Sequence, residues 1–202
     1  MSRNAFIAIA LLALASQVGA QKLVRQESIR SVPAPTVLET DGLFQARYVR
    51  VGDDMFIGGQ PTEKALRALK DSGVTTVVNL RMPEELTRLG FDEAKLIESL
   101  GMRYVHIPMR SGGNPENAYS AANLKRFADV MKAADGKVLL HCTVAWRASH
   151  IWAAYLIQQG VPDEAAVKHA RAINLMDEHR MDAGGQPLEQ FLGRKVAGLG
   201  KP

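Results

Sequence analysis

The chain has 202 residues, 47% hydrophobic and 23% charged, which suits one domain with a core of its own. Its 25 Lys and Arg against 21 Asp and Glu give a net charge of +4, a mild excess that does not argue for a nucleic-acid partner. One cysteine cannot form an intramolecular disulfide or a structural zinc site, and His106, His141, His150, His169 and His179 show no metal-ligand spacing, so no metal and no organic cofactor is expected.

In chain order, residues 1–20 read as a signal peptide. Arg3 supplies the positive start, "AFIAIALLALA" (5–15) the short apolar run, and "VGA" (18–20) the small residues before a cut after Ala20. The apolar run is too short for a spanning helix, so a periplasmic or secreted protein without a stable membrane anchor is expected; an N-terminal tether is the alternative. Removal of Arg3 from the 25 basic residues leaves 24 against 21 acids, a net of +3. Residues 21–42 mix charge with Pro33 and Pro35 and read as a leader, with one domain over 43–202.

"ARYVRVGDDMFIGGQPT" (46–62) predicts two short strands around a Gly-Asp-Asp turn. A helix follows over 61–73, with Thr62 at its start, Gly73 at its stop and Ala65, Leu66 and Leu69 as its stripe. "VTTVVNL" (74–80) is a β-branched run suited to a buried strand. Then come a helix (91–101), a strand (102–108), a loop (110–118), a helix (119–136) and a third buried strand, "KVLLH" (137–141). Helices over 149–160, 162–173 and 187–198 complete the chain. This alternation predicts an α/β fold: a central, mostly parallel sheet with helices on both faces.

The stretch "HCTVAWRAS" (141–149) holds the only cysteine. In an exported protein a lone thiol is either buried and inert or kept for its reactivity. Cys142 stands at the carboxyl end of a predicted strand, where open α/β sheets bind ligands. A helix start offers unpaired amides and a positive dipole end. Arg147 adds a planar fork for two oxygens of an anion. The same positive field favours thiolate over thiol, which suits a nucleophile.

These residues resemble the phosphate loop of cysteine-dependent phosphatases. Together with "FIGGQPTEKALRALKDSGVTTVVNLRMPEE" (56–85) and "GMRYVHIPM" (101–109), they resemble the phosphatase-like domain family first named from beta-lactamase-hydrolase-like proteins, within the protein tyrosine/dual-specificity phosphatase superfamily. The resemblance spans about residues 45–160 and implies a protein-tyrosine-phosphatase-like fold. It implies that Cys142 is the phosphoenzyme nucleophile and Arg147 the phosphate clamp. It also implies that the amides of Thr143, Val144, Ala145, Trp146 and Arg147 line the cradle. His141 would orient the loop and help hold the thiolate. The partner would be a phosphorylated protein or small molecule.

The chain departs from the superfamily pattern at four points. The loop has four residues between Cys and Arg where five are usual, a spacing that also occurs in the resembled family. The mid-loop glycine is Ala145. Ala148 stands where a Ser or Thr usually follows the Arg. No Asp lies in "MRSGGNPEN" (109–117), where the general acid is expected; Glu116 is the only acid there. Two other readings stay open. A rhodanese-like sulfurtransferase shares the four-residue spacing and would carry a persulfide on Cys142, although Asn79 replaces the Asp of the corresponding rhodanese region. An inactive domain could keep the loop and bind an anion or a partner without turnover. Arg81, at a strand end, and Arg110, at the start of the overhanging loop, are possible substrate-side cations, each with a plain surface role as the alternative. Trp146 is expected to pack in preference to walling the pocket, and His150 to lie on a helix without a chemical role.

Overall fold

A computed structural model describes residues 32–110, 114–176 and 186–200 of the chain. The chain divides into two units, 1–32 and 33–202, and the described elements all lie in the second. The signal-peptide expectation lies outside the described residues, as does the first half of the leader, 21–31. The end of that leader differs from the expectation. Thr36 and Val37 form an exposed strand, β1, paired antiparallel with β2 (Tyr48–Val51). One side of its backbone is thereby paired, and β1 forms an edge of the sheet.

β2 and β3 (Met55–Gly58) form the expected hairpin around Gly52-Asp53-Asp54. β4 (Val74–Asn79), β5 (Arg103–His106) and β6 (Lys137–His141) complete a six-stranded sheet in the order β1-β2-β3-β6-β4-β5. The run β3-β6-β4-β5 is parallel. β6 thus lies inside the parallel run, and its Val138, Leu139 and Leu140 are fully buried. Such burial on both faces accounts for the unbroken apolar character of "VLL".

Helices α1 (Glu63–Asp71) and α3 (Glu93–Ser99) pack on one face. The side chain of Thr62 caps α1 by accepting the Ala65 amide. Ala65, Leu66 and Leu69 then meet Ile97, Val77 and Leu139 in one core. Between them lies the single turn α2 (Pro83–Leu86). Helices α4 (Ala121–Ala133), α5 (Trp146–Gln158), α6 (Asp163–Ile173) and α7 (Pro187–Leu192) gather on the other side around α5. α5 is buried continuously from Ala148 to Leu156, which requires its apolar composition on every side.

The helix over 149–160 begins earlier than its sequence suggests. Ser149 resembles an N-cap, yet its hydroxyl donates to the Trp146 carbonyl at 2.7 Å within the helix. The true N-cap is Ala145, with φ of +66°, and Arg147 consequently sits in the first helical turn. The predicted helix over 187–198 ends instead at Gly193, whose φ of +63° turns the chain out of the helix.

The "GGQPT" stretch leans against the loop after β6. The Gln60 amide donates to the Thr143 carbonyl at 2.9 Å, the Cys142 amide to the Gly58 carbonyl at 3.3 Å, and Gly59 bridges Val144. A Cβ on Gly59 would lie 1.7 Å from the Gln45 carbonyl oxygen and 2.8 Å from that of Thr143. Backbone surrounds this position on both sides, so no side chain can yield. Gly59→Ala is therefore expected to displace the loop and destabilise the domain by at least about 2 kcal/mol, measured by urea unfolding; wild-type stability in this variant would contradict the close approach.

Candidate active site

Successive side chains on a strand point to opposite faces, and the end of β6 uses this to separate two neighbours. His141 is fully buried on the α3 side, level with Asn79 of β4. Cys142, 1% exposed, follows on the α5 side and is a free thiol. The chain then turns through Thr143 and Val144 to Ala145. Left-handed backbone costs an alanine about 1 kcal/mol relative to glycine, so the loop holds some strain where the resemblance leads one to expect a glycine. The first intrahelical bond of α5 runs from the Ser149 amide to the Ala145 carbonyl. The amides of Trp146, Arg147 and Ala148 precede it and form the positive end of the helix. The available donors thus begin at the helix start. In the loop itself, the Thr143 and Val144 carbonyls accept from Gln60 and from the Asn174 side chain.

Arg147 is 12% exposed in its side chain and fully engaged at one edge. Nη1 and Nη2 each donate at 2.7 Å to a different oxygen of Glu85. Nη1 also reaches the Leu80 and Met109 carbonyls, and Nη2 the Thr143 hydroxyl. Among the described residues, Nε makes no such contact. Glu85 in turn accepts from Thr143 Oγ1 and from the Met82 amide, both at 2.7 Å. Burial pushes the Glu85 carboxyl up, but the bonds from Arg147, Thr143 and Met82 overcome this and bring it down to about 2. Burial likewise works against the Arg147 charge, and Glu85 more than restores it.

A second polar group lies under the sheet. Glu93, at the start of α3, is 3% exposed. Its Oε2 accepts from Asn79 Nδ2 at 3.0 Å and from Gln60 Nε2 at 3.2 Å, and its Oε1 lies 2.8 Å from His141 Nε2. Burial pushes this carboxyl up, and the His141 contact, Gln60 and Arg81 bring it below its ordinary range. Arg81 is not a surface residue: at 6% exposure it donates Nη1 to Gln60 Oε1 and Nη2 to the Glu85 carbonyl. Burial depresses its basicity, partly offset by Glu85 and Glu93. Its fork therefore holds neighbouring protein groups together, away from an incoming ligand.

A cavity of about 300 Å³ opens beside this group. Met82, Met109, Tyr119 and Trp146 form its apolar wall, and Glu84, Glu85, Arg110 and Arg147 its charged one. Trp146 is both wall and packing, with its ring 4.4 Å from that of His150 and edge-on to Tyr119. His150 is fully buried and contacts the Trp146 carbonyl through Nδ1 at 2.9 Å. Arg110 stands at the rim, paired with Glu84 at 2.8 Å. Glu116 does not line the cavity; it lies exposed in a short 3₁₀ turn beside Asn114. Arg147 thus lines the cavity with Arg110 at its edge, Cys142 lies buried near Arg147 without lining it, and His141 and Arg81 stand behind. Sequence reading missed Glu85, Glu93 and Gln60 as parts of the site. The one signal was spacing: Glu93 shares a helical stripe with Ile97.

The family model described as "DSP-PTPase phosphatase fused to NAD+ Kinase" matches residues 49–189. No curated protein shows significant similarity. Among solved structures, TpbA from P. aeruginosa is similar, with 16% identity over 82% of this chain and 93% of that chain and a TM-score of 0.54. The same protein in complex with phosphotyrosine matches with 16% identity over 79% and 94% of the two chains and a TM-score of 0.54. Kinase associated phosphatase shares 17% identity over 70% of this chain and 84% of that chain, with a TM-score of 0.51. These structures share the fold.

The Glu85–Arg147 pair gives a pH prediction. A carboxyl lowered on folding from 4.5 to about 2 contributes stability that is complete above about pH 4.5 and is lost as pH falls toward 2. Glu85→Gln should remove that component of the acid unfolding profile. At neutral pH it should destabilise the domain by about 2 kcal/mol, between the values for exposed and fully buried pairs. Urea unfolding at a series of pH values measures both.

Proposed function

The chain belongs to the family of DSP-PTPase phosphatases fused to NAD+ kinase, and from that premise we propose that it is an exported, cysteine-dependent phosphatase acting on a phosphate ester. The observation that carries the reading is the position of Cys142, directly after buried parallel strand β6, with Arg147 across the four-residue loop in the first turn of α5 and locked by Glu85. The Cys142 thiolate would attack phosphorus, forming an S–P bond as the ester oxygen leaves with the bond electrons. Water would then cleave the S–P bond, releasing inorganic phosphate and restoring the thiol. The helix-start amides and Arg147 Nε would take the equatorial oxygens, while Glu85 holds the guanidinium plane. Glu85 is held ionised, so it has no proton to give a leaving group at neutral pH. Glu84 is then the remaining carboxyl on the cavity wall. An aryl ester, whose phenolate leaves without prior protonation, would react faster than an alkyl ester.

A second reading rests on a specific observation. Cys142 is 1% exposed, and both Nη atoms of Arg147 are already engaged. A loop so sealed suits an anion- or partner-binding domain without turnover. The persulfide reading keeps in its support the four-residue spacing and its independence of a general acid.

Phosphate release from an activated aryl phosphate decides between these. The wild-type protein should release phosphate, and Cys142→Ser should lose at least about a thousandfold of that rate, as loss of a covalent nucleophile does. Silence from both proteins would favour binding. Cys142-dependent thiocyanate from thiosulfate and cyanide would instead identify a sulfurtransferase. Export has its own check: protein recovered from the periplasm should begin at Gln21.

A further inference from the structure

His141 is enclosed by groups from four elements. Glu93 comes from α3 and touches the ring, Asn79 from β4 and Gln60 from the stretch after β3 bind Glu93, and Tyr104 from β5 binds Asn79. Arg81 stands beside them through Gln60. The Glu93 carboxylate can only accept, so the 2.8 Å contact at Oε1 requires the proton on Nε2 of His141. Among the described residues Nδ1 is buried without a hydrogen-bond partner, and the Nε2–Oε1 contact, although 2.8 Å long, is not aligned as a hydrogen bond. Among the described residues, Glu93 is the one polar side chain in contact with this ring.

The charges in this region match in pairs. Arg147 faces Glu85, and Arg81 lies between Glu85 and Glu93. Two guanidiniums therefore meet two carboxylates, and the pairs leave no net positive charge for a thiolate at Cys142. The amides at the start of α5 and the imidazole directly behind Cys142 are the remaining groups that can act on it. Glu93 meets this ring from the far side, where both side chains are buried.

We propose that Glu93 is a positioning residue for Cys142: its carboxylate holds Nε2 of His141, and the ring so held keeps residue 142 in place and supports its thiolate. This rests on Cys142 being the reactive group of the proposed function. It differs from the role of Glu85, which acts on Arg147 from the opposite side of the loop. Asn79 and Gln60 complete the arrangement by occupying the other carboxylate oxygen, so that Oε1 stays aimed at His141.

The test reads the thiolate itself. The chain has one cysteine, so the far-ultraviolet thiolate absorbance, followed against pH with Cys142→Ser as the blank, reports Cys142 alone. Glu93→Gln should move the midpoint of that absorbance upward by about one pH unit, roughly a tenfold loss of thiolate below the midpoint. An unmoved or lowered midpoint overturns the proposal. His141→Gln should give the same rise, and adding Glu93→Gln to it should give no further one; additive shifts would mean that Glu93 does not act through His141. Should Glu93→Gln fail to fold by urea unfolding, Glu93→Asp keeps the charge but withdraws the carboxylate by one methylene. A folded Asp variant with an unchanged midpoint then overturns the proposal. In turnover, kcat should fall in Glu93→Gln with KM unchanged. If no protein in the series turns over, the phosphatase reading fails while the absorbance titration still answers for Glu93.

Discussion

Glu85 and Arg147 hold the site together, and most of its other features follow from the need to place that pair. A guanidinium set into the first turn of a buried helix loses most of its hydration, which a single acceptor does not replace. Here it receives a bidentate carboxylate, two backbone carbonyls and a threonine hydroxyl. Each comes from a different part of the chain: α2, the ends of β4 and β5, and the loop itself. The pair thus ties three strand ends to the start of α5. The orientation of Arg147 is consequently set by the fold before any ligand arrives, which is the condition for electrostatic preorganisation.

The same demand explains the backbone around the loop. A loop only four residues long between Cys142 and Arg147 has little length in which to reverse direction. Ala145 takes a left-handed conformation to do so, and the segment on the other side must come very close. Gly59 makes that approach possible, and Gln60 uses it twice. Its amide binds Thr143, while its side chain spans Glu93 and Arg81. One residue therefore connects the loop in front of the sheet edge to the polar group behind it. This gives "GGQPT" a physical role that lies in supporting the loop, separate from any contact with a ligand.

The alternation of apolar strands and striped helices was enough to read the sheet, its largely parallel character and the place of Cys142. β6 and β4 are legible because a strand buried on both faces must be apolar throughout. The start of α5 was not legible, because Ser149 imitates a cap and Ala145 gives no sign of positive φ. Arg81, at the carboxyl end of a strand, left a substrate-side and a surface role both open, and its burial depends on Glu85 one turn on and on Gln60, distant in sequence. Glu85 and Glu93 were obscured for the same reason. Acids in the first turn of a helix are ordinarily explained by the dipole alone. Only the pairing of Asn79 with His141 across β4 and β6 shows why Glu93 turns inward.

The protonation of these acids also limits the chemistry open to the site. Carboxylates that hold arginines must stay ionised, and Glu85 is held so to about pH 2. A general acid needs the opposite environment: an apolar setting or a neighbouring negative charge that keeps the proton on. Of the two acids on the cavity wall, Glu84 is exposed and paired with Arg110. Glu116, the acid in the loop where a proton donor would be sought, turns instead toward Asn114. The described site is thus well supplied with groups that stabilise an anion and poorly supplied with protons. Catalysis there would rest on the stability of the leaving group, so the acidity of the departing alcohol would govern which phosphate esters it can open.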